Sequence, residues 1–153
     1  MMIANLIEQN CQDQEGPVLQ KNQSGQKAAL VKLQEILKEM NKEGNFPISL
    51  LTDNEGLPYA SSVDDHLDTD THSAVVALIQ KAAVQVSRHI GMAKVDEISL
   101  SDGATQRLIC RPFKHGKQEL ILTIMLTHKE QSYRRLTNQT ISKIKSAWSQ
   151  QWK

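Results

Sequence analysis

The run Leu120-Ile121-Leu122-Thr123-Ile124-Met125-Leu126 places the tightest constraint on how this chain can fold. A strand that is apolar at almost every position has no face to give to water, so both of its faces must be covered. The segment Glu119 to Thr127 therefore belongs inside a sheet with a layer on each side. Two alternating segments lead into it. Val95 to Ser101 sets Ile98 and Leu100 opposite Glu97 and Ser99, and its short length and acidic Asp96 and Glu97 suit an edge strand. Thr105 to Phe113 alternates Leu108 and Cys110 with Arg107, Ile109 and Arg111. Asp102-Gly103 and His115-Gly116-Lys117 supply the turns of a three-strand meander.

A second strand pair lies upstream. In Phe46 to Ser62, two apolar strand-like stretches flank Asp53-Asn54-Glu55-Gly56, a hairpin turn in which Gly56 suits the left-handed position. Phe46, Ile48 and Leu50 are expected on one face of the first strand, and Leu57, Tyr59 and Ser61 alternate along the second.

Three helices separate and close these strands. Ala29/Leu30, Leu33, Ile36/Leu37 and Met40 recur at helical spacing from Ala28 to a stop near Gly44. A second helix is expected from Thr71 to Ile90, capped by Asp70 or Thr71 and stopped by Gly91. It carries two stripes. Val75, Leu78, Ile79, Ala82, Val86 and Ile90 make a broad bulky face wide enough to cover a sheet. Val76, Gln80, Ala83 and Ser87, flanked by Ala77 and Val84, make a small, half-polar face that permits close helix approach. Either one large core takes up both faces, or the second is a contact with another copy, which better explains its small side chains. A third helix from Ser132 to Trp152 has Leu136, Ile141, Ile144 and Trp148 at helical spacing. The fold class is thus α+β, in the order α-β-β-α-β-β-β-α, a five-stranded antiparallel sheet with helices on both faces.

At 153 residues the chain can bury one core, and residues 26–153 read as one domain. Gln12 to Gln26 is rich in Gln, Asn, Gly and Ser, so residues 1–25 are expected to form a mobile arm. Eighteen Lys and Arg against 17 Asp and Glu give a formal charge of +1, which supplies no global field for nucleic acid or an anionic membrane. Met1 to Asn10 lacks the basic leader and long apolar run of a secretory signal. Cys11 and Cys110 have neither the number nor the pairing of a disulfide framework, which favours reduced thiols and a cytoplasmic setting.

Chemistry has few footholds. No Ser-His-Asp or Cys-His arrangement is visible, so no catalytic residue is assigned and no cofactor is expected. Asp64-Asp65-His66-Leu67-Asp68-Thr69-Asp70-Thr71-His72 offers oxygen and imidazole ligands, yet it lacks the Gly and terminal Glu of a calcium loop and the His spacing of a zinc helix. A polar loop whose acids favour a helix N-terminus accounts for it better, and no metal is expected. Arg134, Arg135, Lys143, Lys145 and Lys153, with Trp148 and Trp152 one turn apart, could line a membrane-surface or nucleic-acid helix, but the charges are dispersed. Arg107 and Arg111 share a strand face and could hold an anion or serve as a transition-state arginine.

The hairpin Ser49-Leu50-Leu51-Thr52-Asp53-Asn54-Glu55-Gly56-Leu57-Pro58-Tyr59-Ala60-Ser61-Ser62, the Ala/Val-rich helix ending at Gly91, the strand Glu97-Ile98-Ser99-Leu100 and the Arg111-Pro112 exit before the apolar last strand come in the order of a known family. From Ala28 to Trp148 the chain resembles a Roadblock domain, the family of Roadblock-type dynein light chains and many bacterial and archaeal GTPase regulators. The resemblance implies a Roadblock/profilin-like fold and a non-enzymatic homodimer paired through the second helix and third strand, here Val76, Gln80, Ala83, Ser87, Val95, Glu97, Ile98 and Ser99. It also implies a small Ras-like GTPase as partner, bound on the paired second helices as a localised or hydrolysis-stimulated client. Lys81, Gln85 and Arg88 on the polar side of that helix are the expected platform. The alternative is a small-ligand sensing module of profilin/PAS-like architecture. That reading needs a cavity, and 4% aromatic residues with a close-packing aliphatic central strand favour a solid core.

Overall fold

A computed structural model describes residues 17–63 and 69–151. Helix α1 (Pro17–Gly44) leads into strands β1 (Ile48–Asp53) and β2 (Pro58–Val63), then helix α2 (Thr69–Ile90). Strands β3 (Ile98–Ser101), β4 (Arg107–His115) and β5 (Gln118–Leu126) follow, and helix α3 (Arg134–Gln151) comes last. All neighbouring strands are antiparallel, in the order β2-β1-β5-β4-β3. The apolar β5 is central and β3 lies at an edge, as their sequences require.

The pleat sorts the core into two layers. Leu51, Ile109, Leu120, Leu122, Ile124 and Leu126 face α1 and α3, where they meet Leu33, Leu37, Met40, Ile144 and Trp148. Ile48, Leu50, Cys110 and Ile121 face α2 through Val76. The α1 and α3 side is much the larger, and each fully buried aliphatic side chain there contributes about 1.5–3 kcal/mol. Trp148 is buried and stacks edge-on against Tyr59 at 4.9 Å. That position removes Trp148 from any surface a membrane or nucleic acid could read.

Three expectations need correction. Helix α1 begins at Pro17, well before the start at Ala28 that its periodicity suggests. A proline costs nothing at the first helical position, and Gln, Lys and Leu are adequate helix formers, so the helix extends upstream of its amphipathic part. Residues 1–16 lie outside the described residues. Next, Phe46 precedes β1 and joins the α1/α3 layer instead of sharing a face with Ile48 and Leu50. The cause is the helix end. Asn45 takes the left-handed conformation (φ 54°), and the Phe46 amide donates to the Asn41 carbonyl at 3.0 Å, which swings the Phe46 ring under the helix. Gly44 is needed for its smallness, because a Cβ there would lie 2.5 Å from the Phe46 ring and 2.7 Å from Leu136. Finally, α2 begins at Thr69, so neither Asp70 nor Thr71 is its cap.

The hairpin turn behaves as its residues suggest. Asp53 Oδ1 accepts from the Glu55 and Leu57 amides, both at 2.9 Å, and Gly56 has φ 87°. Asn41 on α1 donates through its side chain to the Ser62 carbonyl of β2 at 3.0 Å.

Candidate functional site

Helix α2 lies on the sheet by its small stripe, not its bulky one. Val76 is 1% exposed and Ser73 is buried, while Gln80, Ala83, Val84 and Ser87 are half-buried on the same side. The bulky stripe faces outward: Leu78 is 68% exposed, Val86 56% and Ile90 64%. Of the residues expected at a contact with another copy, Val76 packs within the chain against Ile48, Leu50, Cys110 and Ile121, and Gln80, Ala83 and Ser87 keep part of their surface exposed. Small side chains let the helix approach the sheet, and Gly56 completes the fit, since a Cβ there would sit 2.7 Å from the Ala77 Cβ and 2.8 Å from the Ser73 carbonyl oxygen. Gly91 (φ 70°) ends α2, with the Met92 amide donating to the Ser87 carbonyl at 2.9 Å. Lys81, Gln85 and Arg88 are all exposed and share one side of the helix at steps of four and three.

Beside the outward stripe runs β3, hydrogen-bonded on one side only, to β4. Ile98 turns toward the α2 face, where it packs with Cys110, and Leu100 is 58% exposed. Glu97 and Ser99 turn the other way. Glu97 accepts from the Tyr133 hydroxyl and lies 3.9 Å from Arg111 Nε and 3.7 Å from Arg134 Nη2. Arg111 also donates to Thr137 Oγ1 at 2.8 Å, and Arg107 donates to Ser99 Oγ at 2.7 Å while lying over the Tyr133 ring. The hydrogen bond with Tyr133, and then Glu97, raise the Arg134 pKa above its ordinary value. Glu97 and Ser99 are thus tied to β4 and α3 and hold β3 in place. Arg107 and Arg111 are spent in the same network, which leaves neither as a free anion ligand or a transition-state arginine.

Under the N-terminal half of α2 the sheet is incompletely covered. A groove of about 440 Å³ opens there, lined mainly by Ile48, Leu50, Val75, Val76, Leu100, Leu108 and Met125. The expected solid core is therefore correct for the α1/α3 layer and wrong for the α2 layer. The sequence shows aliphatic side chains, but not how far above them a helix rides.

Residues 64–68, which hold most of the acidic stretch, lie outside the described residues. Thr69 to His72 form the first turn of α2. Among the described residues no three His, Cys, Asp or Glu side chains come together, and no helix is long and apolar enough to cross a membrane. Cys110 is a free, buried thiol whose pKa is raised by burial and only partly offset by the Thr123 hydroxyl.

No family model matches the sequence, and no curated protein does. Solved structures do match its shape. MglB of Myxococcus xanthus superposes with a TM-score of 0.61 at 18% identity, over 79% of this chain and 87% of its own. An MglB structure with a tetrameric arrangement gives 0.59 at 19% identity, over 80% and 89%. The Roadblock/LC7 domain from Streptomyces avermitilis gives 0.60 at 11% identity, over 76% and 94%. With the element order, the strand order β2-β1-β5-β4-β3 and the split of helices between the two faces, these likenesses settle the architecture: the chain has the Roadblock fold.

Proposed function

We propose that this protein is a non-enzymatic homodimeric scaffold that binds a small Ras-like GTPase. One observation carries the reading. The outward stripe Leu78, Val86 and Ile90 stands beside a strand, β3, whose second edge has no partner among the described residues. An exposed apolar helix face next to an open strand edge is the surface that a second copy would cover, helix against helix and strand against strand. In this reading Ile98 and Ser99 of β3, with Val95 and Glu97 just ahead of it, would border the strand contact, and the bulky stripe would form the helix seam in place of the small one. The apolar groove supplies the sensing alternative with a cavity, but the exposed Val75 and Leu100 that line it would lie under the same second copy.

The GTPase is argued from the resemblance to Roadblock-domain GTPase regulators, supported by the shared fold and by Lys81, Gln85 and Arg88 lying exposed on α2, to one side of the apolar stripe. Such a platform would position or stimulate the GTPase without a nucleotide site of its own. The test is co-elution of the purified protein with purified small Ras-like GTPases from the same source, loaded with a non-hydrolysable GTP analogue or with GDP. Retention of one of them, weakened by Lys81→Glu, is expected. A full set that elutes apart from the protein in both nucleotide states would overturn the proposal.

A further inference from the structure

The groove beneath the N-terminal half of α2 has a chemistry of its own. Strands β1 and β5 give it an aliphatic floor through Ile48, Leu50 and Met125, and Val75 of α2 covers it. Thr123 also lines it, but that hydroxyl is buried and already donates to Cys110 Sγ at 3.6 Å. A water molecule on this floor would find too few of the roughly 2–4 hydrogen-bond partners it needs. At about 440 Å³ the groove falls within the roughly 300–1,000 Å³ of small-molecule sites. Among the described residues no Phe, Tyr or Trp lines it, so its walls suit a flexible chain better than a flat ring. The charge at its rim has one sign. Asp102 of the β3–β4 turn lines the groove, no Lys or Arg does so among the described residues, and Asp102 forms no ion pair among them. Asp102 Oδ1 accepts from the Ala104 and Gln106 amides, both at 3.0 Å, which holds the carboxylate in place, and neither bond uses its Oδ2.

We propose that this groove binds an unbranched aliphatic amine, its chain lying under α2 and its ammonium group at Asp102 Oδ2. Charge complementarity selects the head group. A fatty carboxylate would meet an acid and no Lys or Arg, and an alcohol would gain a hydrogen bond without the ion pair. All of the binding groups belong to one copy of the chain, so the site does not rest on the proposed dimer.

The probes are octylamine, 1-octanol and octanoate, three molecules of one chain length that differ in head group, each titrated below its aggregation threshold into the 15N-labelled protein. Octylamine should bind saturably, shift the amides of Val75, Val76, Leu100, Asp102 and Met125, and exceed octanoate in affinity by about tenfold or more, with 1-octanol between them. Added salt should weaken octylamine and leave 1-octanol unchanged. Asp102→Asn keeps a side-chain oxygen for the Ala104 and Gln106 amides and so preserves the turn. It should bring octylamine down to the affinity of 1-octanol without altering 1-octanol itself. Octanoate binding as tightly as octylamine, an amine preference that survives Asp102→Asn, no saturable shift with octylamine, or shifts centred away from the groove would each overturn the proposal.

Discussion

Replacing Val86 by Asp separates the two ways of seating α2. In a single copy Val86 is 56% exposed, so Val86→Asp exchanges one solvated side chain for another and should move monomer stability by no more than about 0.5 kcal/mol. In a dimer built on the outward stripe the same change acts at the seam. Each copy loses the burial of about half a valine, roughly 1 kcal/mol, and places a carboxylate where it has no cation. Stripping water from an unpaired carboxylate costs at least about 1–3 kcal/mol even with relaxation. A two-fold contact counts the penalty once per copy, for a total of about 4 kcal/mol or more, or roughly a thousandfold in the dissociation constant. Light scattering across a dilution series should show a dimeric wild type and a monomeric variant with an unchanged circular dichroism spectrum. Ala83→Arg is the control. Ala83 is half-buried on the sheet side, so that arginine should lower the unfolding midpoint whether or not a dimer forms. A monomeric wild type, or a Val86→Asp protein that dimerises as tightly as the parent, refutes the seam.

Gly56→Ala should cost roughly 2 to 4 kcal/mol in denaturant unfolding, the sum of left-handed strain for a residue with a Cβ and overpacking against Ala77 and the Ser73 carbonyl. A loss below about 1 kcal/mol would mean that α2 does not rest on this turn. Cys110 should resist iodoacetamide in the native protein at mildly alkaline pH and react fully in urea, as followed on its own peptide by mass spectrometry. Its folded pKa is raised by burial above the unfolded value, so its stabilising contribution is complete below the unfolded thiol pKa and disappears as the pH rises through the folded one. Rapid native labelling of Cys110 would contradict that burial.

The central place of β5 and the edge place of β3 were legible because a strand apolar at almost every position and a short strand led by two acids admit few locations in a sheet. The turn at Asp53 to Gly56 was legible for the same reason, since side-chain acceptor and left-handed glycine act over four residues. The seating of α2 was not. Periodicity reveals that the helix has two stripes, but bulk alone does not say which meets the sheet. Here Ser73 and Val76 take the inner place, and Ser73 and Ala77 let the helix come close over the Gly56 turn. The extra turns of α1 were hidden by a polar composition that suits a solvated helix as well as a coil. The Glu97 network joins residues 36 positions apart, a distance at which no local pattern announces a partner.

Pro58 at the start of β2 gives the two margins of the sheet different fates. On the β2 side Pro58 brings no backbone donor to the margin that a further strand would need. A sheet lengthened by joining two copies at β3 would carry this blocked margin at both of its ends. Growth would stop at the first union. Two copies joined in the proposed way would thus meet the next copy only at a margin short of a donor, and protein stored at high concentration should stay clear of fibres.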